Sequence, residues 1–92
     1  MKREVINTKN APGAIGPYSQ GIIVGDFVYT SGQLPINPVT GVLETDIKVA
    51  TKQSMENVKA ILEEAGTSLE NVVKTSIFLK DLNDFAILRI SW

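Results

Sequence analysis

The sequence predicts a small α+β domain, and three observations carry that prediction. Apolar runs at 22–24 and 27–30 flank the pair Gly25-Asp26, residues 46–65 carry an apolar stripe at helical spacing, and residues 72–80 alternate between apolar and polar. A two-residue loop of the Gly-Asp type between apolar runs signals a β-hairpin, because glycine tolerates the positive φ that a type II′ turn needs at its first central position. So tight a turn also fixes register. It places Tyr18, just before the first strand, and Ser31-Gly32, at the end of the second, near one end of the hairpin. That end carries a phenol, an aliphatic hydroxyl and a glycine that leaves backbone N–H groups approachable, and it is the best candidate site in the chain.

The remaining elements follow in order. Residues 4–7 predict a first strand, and the breakers in Lys9-Asn10-Ala11-Pro12-Gly13 predict a loop leading to the hairpin. Beyond the hairpin, Pro35 and Pro38 forbid a central strand and residues 38–41 have turn chemistry, so 34–41 is expected as a surface loop beside the Ser31-Gly32 end. In the helix, Ile47, Ala50, Ser54, Met55, Val58, Ile61, Leu62 and Ala65 recur at three- and four-residue steps, with charged residues opposite. Thr45 or Asp46 can cap its start, and Gly66 stands where a glycine closes a helix. Residues 72–80 predict a strand with Val73, Thr75, Ile77 and Leu79 on one face. Phe78 falls on the more polar face, where an aromatic is expected to meet another subunit. Residues 81–86 begin a second helix capped by Asp81 or Asn83, but Phe85, Ile87, Leu88, Ile90 and Trp92 follow neither a helical stripe nor an alternation.

Composition narrows the chemistry. With 92 residues the chain is expected to form one domain, residues 1–92, and to gain from a partner chain, since a domain of this size buries only about 60–65% of its unfolded surface. A net charge of −1 and pI near 5.3 supply no electrostatic footprint for nucleic acid or an anionic membrane. The chain has neither Cys nor His, so thiolate nucleophiles, Cys zinc sites and the commonest general base are excluded. Catalysis would have to use Tyr, Ser, carboxylates, Lys, Arg, backbone amides or water. The start lacks the apolar core of a signal peptide and no apolar run nears the ~20 residues that span a bilayer, so a cytoplasmic location is expected.

Four collinear blocks carry a resemblance. They are Ile15-Gly16-Pro17-Tyr18-Ser19-Gln20-Gly21, Thr30-Ser31-Gly32-Gln33-Leu34-Pro35-Ile36-Asn37-Pro38, the helix segment 53–62, and 73–85 with Phe78-Leu79-Lys80-Asp81-Leu82-Asn83-Asp84-Phe85. Together they are similar to the RidA (YjgF) family of reactive intermediate deaminases, from about Lys2 to Phe85. The resemblance implies a chorismate-mutase-like mixed sheet with helices on one face, assembled as a homotrimer with clefts between subunits. It implies hydrolysis of enamine and imine acids, such as 2-aminoacrylate and 2-iminopropanoate, to 2-keto acids and ammonia without a cofactor. Carried over by position, Tyr18 and Ser31 are the catalytic candidates, and Gly32 and Phe85 line the substrate site. Family members continue with a helix asparagine, an arginine for the substrate carboxylate and a late glutamate on two further strands. None of these has a counterpart here, and Arg89 stands at the asparagine position. The departure implies a domain lacking its C-terminal strands after about Phe85, with impaired turnover and open sheet edges.

Imine hydrolysis needs a cation for the carboxylate, a positioned water, and a group to move protons. Rival readings are a translation inhibitor or endoribonuclease, names that some relatives carry, and a non-catalytic small-ligand-binding trimer. The charge balance weighs against nucleic acid as a partner.

Overall fold

The computed structural model describes residues 2–91. Strands β1 (Arg3–Ile6), β2 (Gly21–Val24) and β3 (Phe27–Thr30) are followed by helix α1 (Ile47–Glu64) and helix α2 (Phe85–Ser91), with single 3₁₀ turns at Leu69–Asn71 and Leu82–Asp84. The strands form one sheet in the order β1-β2-β3, and every pairing described in it is antiparallel. The α+β expectation holds, with no parallel pairing among the described residues.

The hairpin forms where the sequence places it. Val24 pairs with Phe27 across Gly25-Asp26, and Gly25 has φ +57° while no non-glycine residue described has positive φ. A positive φ at the first central position alone is the signature of a type II′ turn, whose twist matches that of the strands it joins.

The pleat sorts side chains onto two faces. Ile6, Ile23 and Val28 point to α1 and close with Ile61 and Ala11 into the core. At Gly21 the sheet and helix come too close for any side chain, since a Cβ there would stand 2.9 Å from Ile61 Cγ2 and 3.0 Å from the Tyr29 carbonyl oxygen. The other face carries Val5, Ile22 and Tyr29 in one cross-strand row and Arg3, Val24 and Phe27 in the next. Val5, Phe27 and Tyr29 are exposed there, and the two rings lie 6.4 Å apart.

Helix α1 starts and stops for the reasons its sequence offers. The Asp46 carboxylate accepts from the Val49 N–H at 3.2 Å, and the chain leaves through Gly66 at φ +89°. Its buried stripe includes Ile61 and Leu62 as expected, but also Thr51 and Asn57. Helix α2 packs on α1 and buries Leu88. Asp81 caps its entrance by accepting from the Asn83 N–H at 2.9 Å. The irregular apolar series ending at Trp92 therefore includes a helix through Ser91, while Trp92 lies outside the described residues.

One expectation is corrected. Residues 72–80 form no strand; they run as irregular chain, largely exposed, with Phe78 94% exposed. Alternation makes a segment fit for a ladder without making one, because the segment needs a neighbouring strand for its N–H and C=O groups. No described strand pairs with it.

Candidate functional site at the open end of the hairpin

The site is built on an extra rung beyond the β2–β3 ladder. Past the Gly21–Thr30 pair, the Ser31 N–H donates to the Gln20 carbonyl at 2.9 Å. The Ser31 hydroxyl donates to the same oxygen at 3.2 Å. This carbonyl thus holds both the backbone and the side chain of Ser31, two residues along the chain from Tyr18.

The Gln20 side chain does a second job from the same place. It is buried, its Oε1 accepts from the Thr8 N–H at 2.6 Å, and its Nε2 donates to the carbonyls of Thr8, Ala11 and Pro12 at 2.9, 3.2 and 2.8 Å. The loop after β1 is pinned to the turn that carries Tyr18. A buried amide with every polar atom bonded is a rigid joint, since breaking its bonds to Thr8 or Ala11 strands a backbone group away from water.

Asn57 fixes the other flank. Fully buried on α1, it donates through Nδ2 to the Leu34 and Ile36 carbonyls at 3.1 and 3.0 Å and accepts from Gln53 Nε2 at 2.9 Å. The loop that follows Ser31-Gly32 is therefore tied to the helix. Farther along, Asn37 Oδ1 accepts from the Val39 and Thr40 N–H groups, and an Ile36–Leu43 bridge closes the excursion.

Sequence reasoning placed Tyr18, Ser31 and Gly32 at one end of the hairpin, and the structure brings them there. Tyr18 is 70% exposed, so its hydroxyl is open to solvent rather than sealed in the core. Ser31 is half-buried, while Gly32 is exposed and its N–H has no partner among the described residues. Phe85 is not grouped with them. It lines a shallow depression with Ile77, Leu88 and Arg89, in which none of the hairpin-end residues takes part. A larger open depression between α1 and the loops, lined by Thr8, Asn37, Gln53, Glu56 and Asn57 among others, also excludes them. Within a single chain, the hairpin end and the Phe85 depression are two separate surfaces.

The sequence reading missed Gln20 and Asn57 as organisers of the site. The signal for Asn57 was present: an amide lies at helical spacing between Ser54 and Ile61 on the stripe read as apolar. For Gln20 the only local sign was a polar residue directly before a strand. Among the described residues no cluster of three or more His, Cys, Asp or Glu is placed to hold a metal, and no helix is long and apolar enough to cross a membrane.

An antiparallel sheet backed by a long helix, with a hydroxyl-bearing hairpin end left open, defines the class as a small α+β protein. The profile of a family described as "Endoribonuclease L-PSP" matches residues 8–92. A RutC family protein of Pyrococcus abyssi is 60% identical over 87 residues, covering 94% of this chain and 68% of that protein. The 2-iminobutanoate/2-iminopropanoate deaminase of Escherichia coli K12 is 49% identical over 89 residues, covering 97% of this chain and 70% of the enzyme. Among solved structures, the YjgF gene product of E. coli superposes with a TM-score of 0.93 at 50% identity, over 96% of this chain and 69% of its own. E. coli TdcF, solved with bound serine, gives 0.92 at 46% identity, over 96% of this chain and 69% of its own. The chain belongs to the RidA/YjgF family, and it spans roughly 70% of the length of these relatives.

Proposed function

We propose that this protein hydrolyses imine and enamine acids of the 2-aminoacrylate/2-iminopropanoate type to 2-keto acids and ammonia, in clefts shared between three copies of the chain. The observation that carries the reading is the open hairpin end. Tyr18 is in solvent, Ser31 is fixed by two bonds to one carbonyl, and Gly32 offers an unused N–H, all in a chain half identical to enzymes named for this reaction.

The chemistry asks for few groups. Water adds across the C=N bond to give a carbinolamine, and the C–N bond then breaks to leave a C=O group and ammonia. The substrate brings its own activation, since a protonated imine is already electrophilic. The protein has to hold the carboxylate, present water and pass a proton to the leaving nitrogen. The Gly32 N–H suits the first task in part, as a backbone donor to a carboxylate oxygen, and stands without the cation that the family pattern adds there. The Tyr18 hydroxyl, able to donate and accept, suits the last.

The partner copies are supported by apolar surface. Val5, Phe27 and Tyr29 lie exposed on the sheet face away from α1, and Phe78 stands out from residues 72–80. Exposed apolar side chains grouped in this way, with Arg3 at their edge, suit an interaction surface. In the proposed trimer the Phe85 depression of one copy meets the hairpin end of the next, as the family resemblance implies. Such a trimer needs no membrane and is compatible with a cytoplasmic location.

The test is direct. With 2-aminoacrylate generated in situ, the protein is expected to accelerate release of pyruvate and ammonia over buffer, and Tyr18→Phe to slow it by about a hundredfold or more, the usual scale for losing a proton-transfer group. No acceleration over buffer overturns the reading. A ribonuclease reading is favoured by the family's description alone. Cleavage of RNA by pure, metal-free protein, without keto-acid release, would put it in place of the first.

A further inference from the structure

We propose that Gln33 is a positioning residue that makes Ser31 a hydrogen-bond acceptor toward the ligand, so that the group Ser31 receives is an N–H. The nature of that group, the imine nitrogen, rests on the deaminase reading above. The hydrogen-bonding itself does not.

The argument is an accounting of one hydroxyl. A serine hydroxyl has one proton to give and two lone pairs with which to accept. The Ser31 hydroxyl lies 3.2 Å from the Gln20 carbonyl, which can only accept, so the proton is committed there. Gln33 Nε2 lies 3.2 Å from the same hydroxyl oxygen and 3.4 Å from the Ser31 carbonyl. Because that carbonyl also cannot donate, the amide nitrogen of Gln33, and not its oxygen, faces Ser31. One lone pair is thereby used, and one remains. Gln33 and Ser31 are both half-buried, so water competes less for these bonds than it would on an open surface.

The consequence is a polarised pair of neighbours. Ser31 shows an incoming molecule a lone pair and no proton, while the adjacent Gly32 shows it an N–H. A carboxylate is accepted at Gly32 and gains nothing at Ser31. A nitrogen that carries hydrogen is accepted at Ser31. An imino acid has both groups on one carbon, and a product keto acid has only the first. The arrangement therefore distinguishes substrate from product by the atom that the reaction removes.

Gln33→Glu and Gln33→Met test this together. An ionised carboxylate can only accept, so at neutral pH the glutamate variant draws the Ser31 proton away from Gln20; the lone pair left facing that carbonyl is repelled by it and turns the hydroxyl out of its place toward the ligand. The variant's kcat/KM for 2-iminopropanoate is expected to fall on the order of tenfold, the scale of one hydrogen bond. The ratio of variant to parent rate should recover as pH falls toward ~4–5, where the introduced carboxyl gains a proton to donate. Gln33→Met should lose rate with no such pH recovery. A ratio for Gln33→Glu that is near unity, or depressed and flat with pH, overturns the proposal. If the parent shows no deaminase activity, the hydrogen-bonded triad is still read by NMR. Ser31→Ala should shift the side-chain NH₂ resonances of Gln33, and unmoved resonances overturn the assignment.

Discussion

Two buried amides decide where the candidate site stands. Gln20 and Asn57 each sit where an apolar residue would fill space equally well, yet each satisfies backbone groups that the loops leave unpaired. Replacing such a group costs more than the bond itself, because the partner carbonyls lose their donor in a partly buried setting where water replaces it only in part. Asn57→Ala should lower the unfolding free energy by about 2–3 kcal/mol, since it strands the Leu34 and Ile36 carbonyls together. Urea unfolding of parent and variant measures it; a difference below about 0.5 kcal/mol would mean the loop is held by something other than this amide. Ser31 gains its orientation in the same manner, from a carbonyl and an amide contributed by neighbours and not from its own sequence position.

At the scale of elements, the hairpin and α1 were legible in the sequence because their signals are local. Gly25-Asp26 dictates the turn, Asp46 and Gly66 mark the helix ends, and the stripe through Ile61 and Leu62 faces the sheet. Placing Tyr18 and Ser31-Gly32 at one end followed from the turn alone. What was not legible depends on contacts far apart in the chain. The Gln20 bonds to the 8–12 loop and the Asn57 bonds to 34–36 join segments that no pattern window spans. Residues 72–80 show the converse. Their alternation is genuine, but a ladder is a property of two strands, and periodicity reports on only one. Gly25→Val isolates the local signal. With φ at +57°, a β-branched side chain in that position is strained, and the variant should lose at least about 1–2 kcal/mol by thermal or urea unfolding. Unchanged stability would show that the strands, and not the turn, set the register.

For the whole molecule, the sheet has one face filled by α1 and one left largely apolar and open beside Arg3, with the Phe27 and Tyr29 rings 6.4 Å apart on it. The hairpin end and the Phe85 depression lie on one chain as separate surfaces, and neither alone encloses a ligand. The proposed assembly makes them halves of one site. That claim can be read without knowing the interface in detail, by mixing subunits. Tyr18→Ala and Phe85→Ala would each be prepared and assayed alone, then unfolded and refolded together in equal amounts. If each cleft takes Tyr18 from one chain and Phe85 from its neighbour, about a quarter of the clefts in randomly assembled trimers regain both groups. Keto-acid release from the mixture should rise to roughly that fraction of the parent rate. A mixture no more active than either variant alone, while the parent refolded in parallel keeps its rate, would contradict the shared cleft.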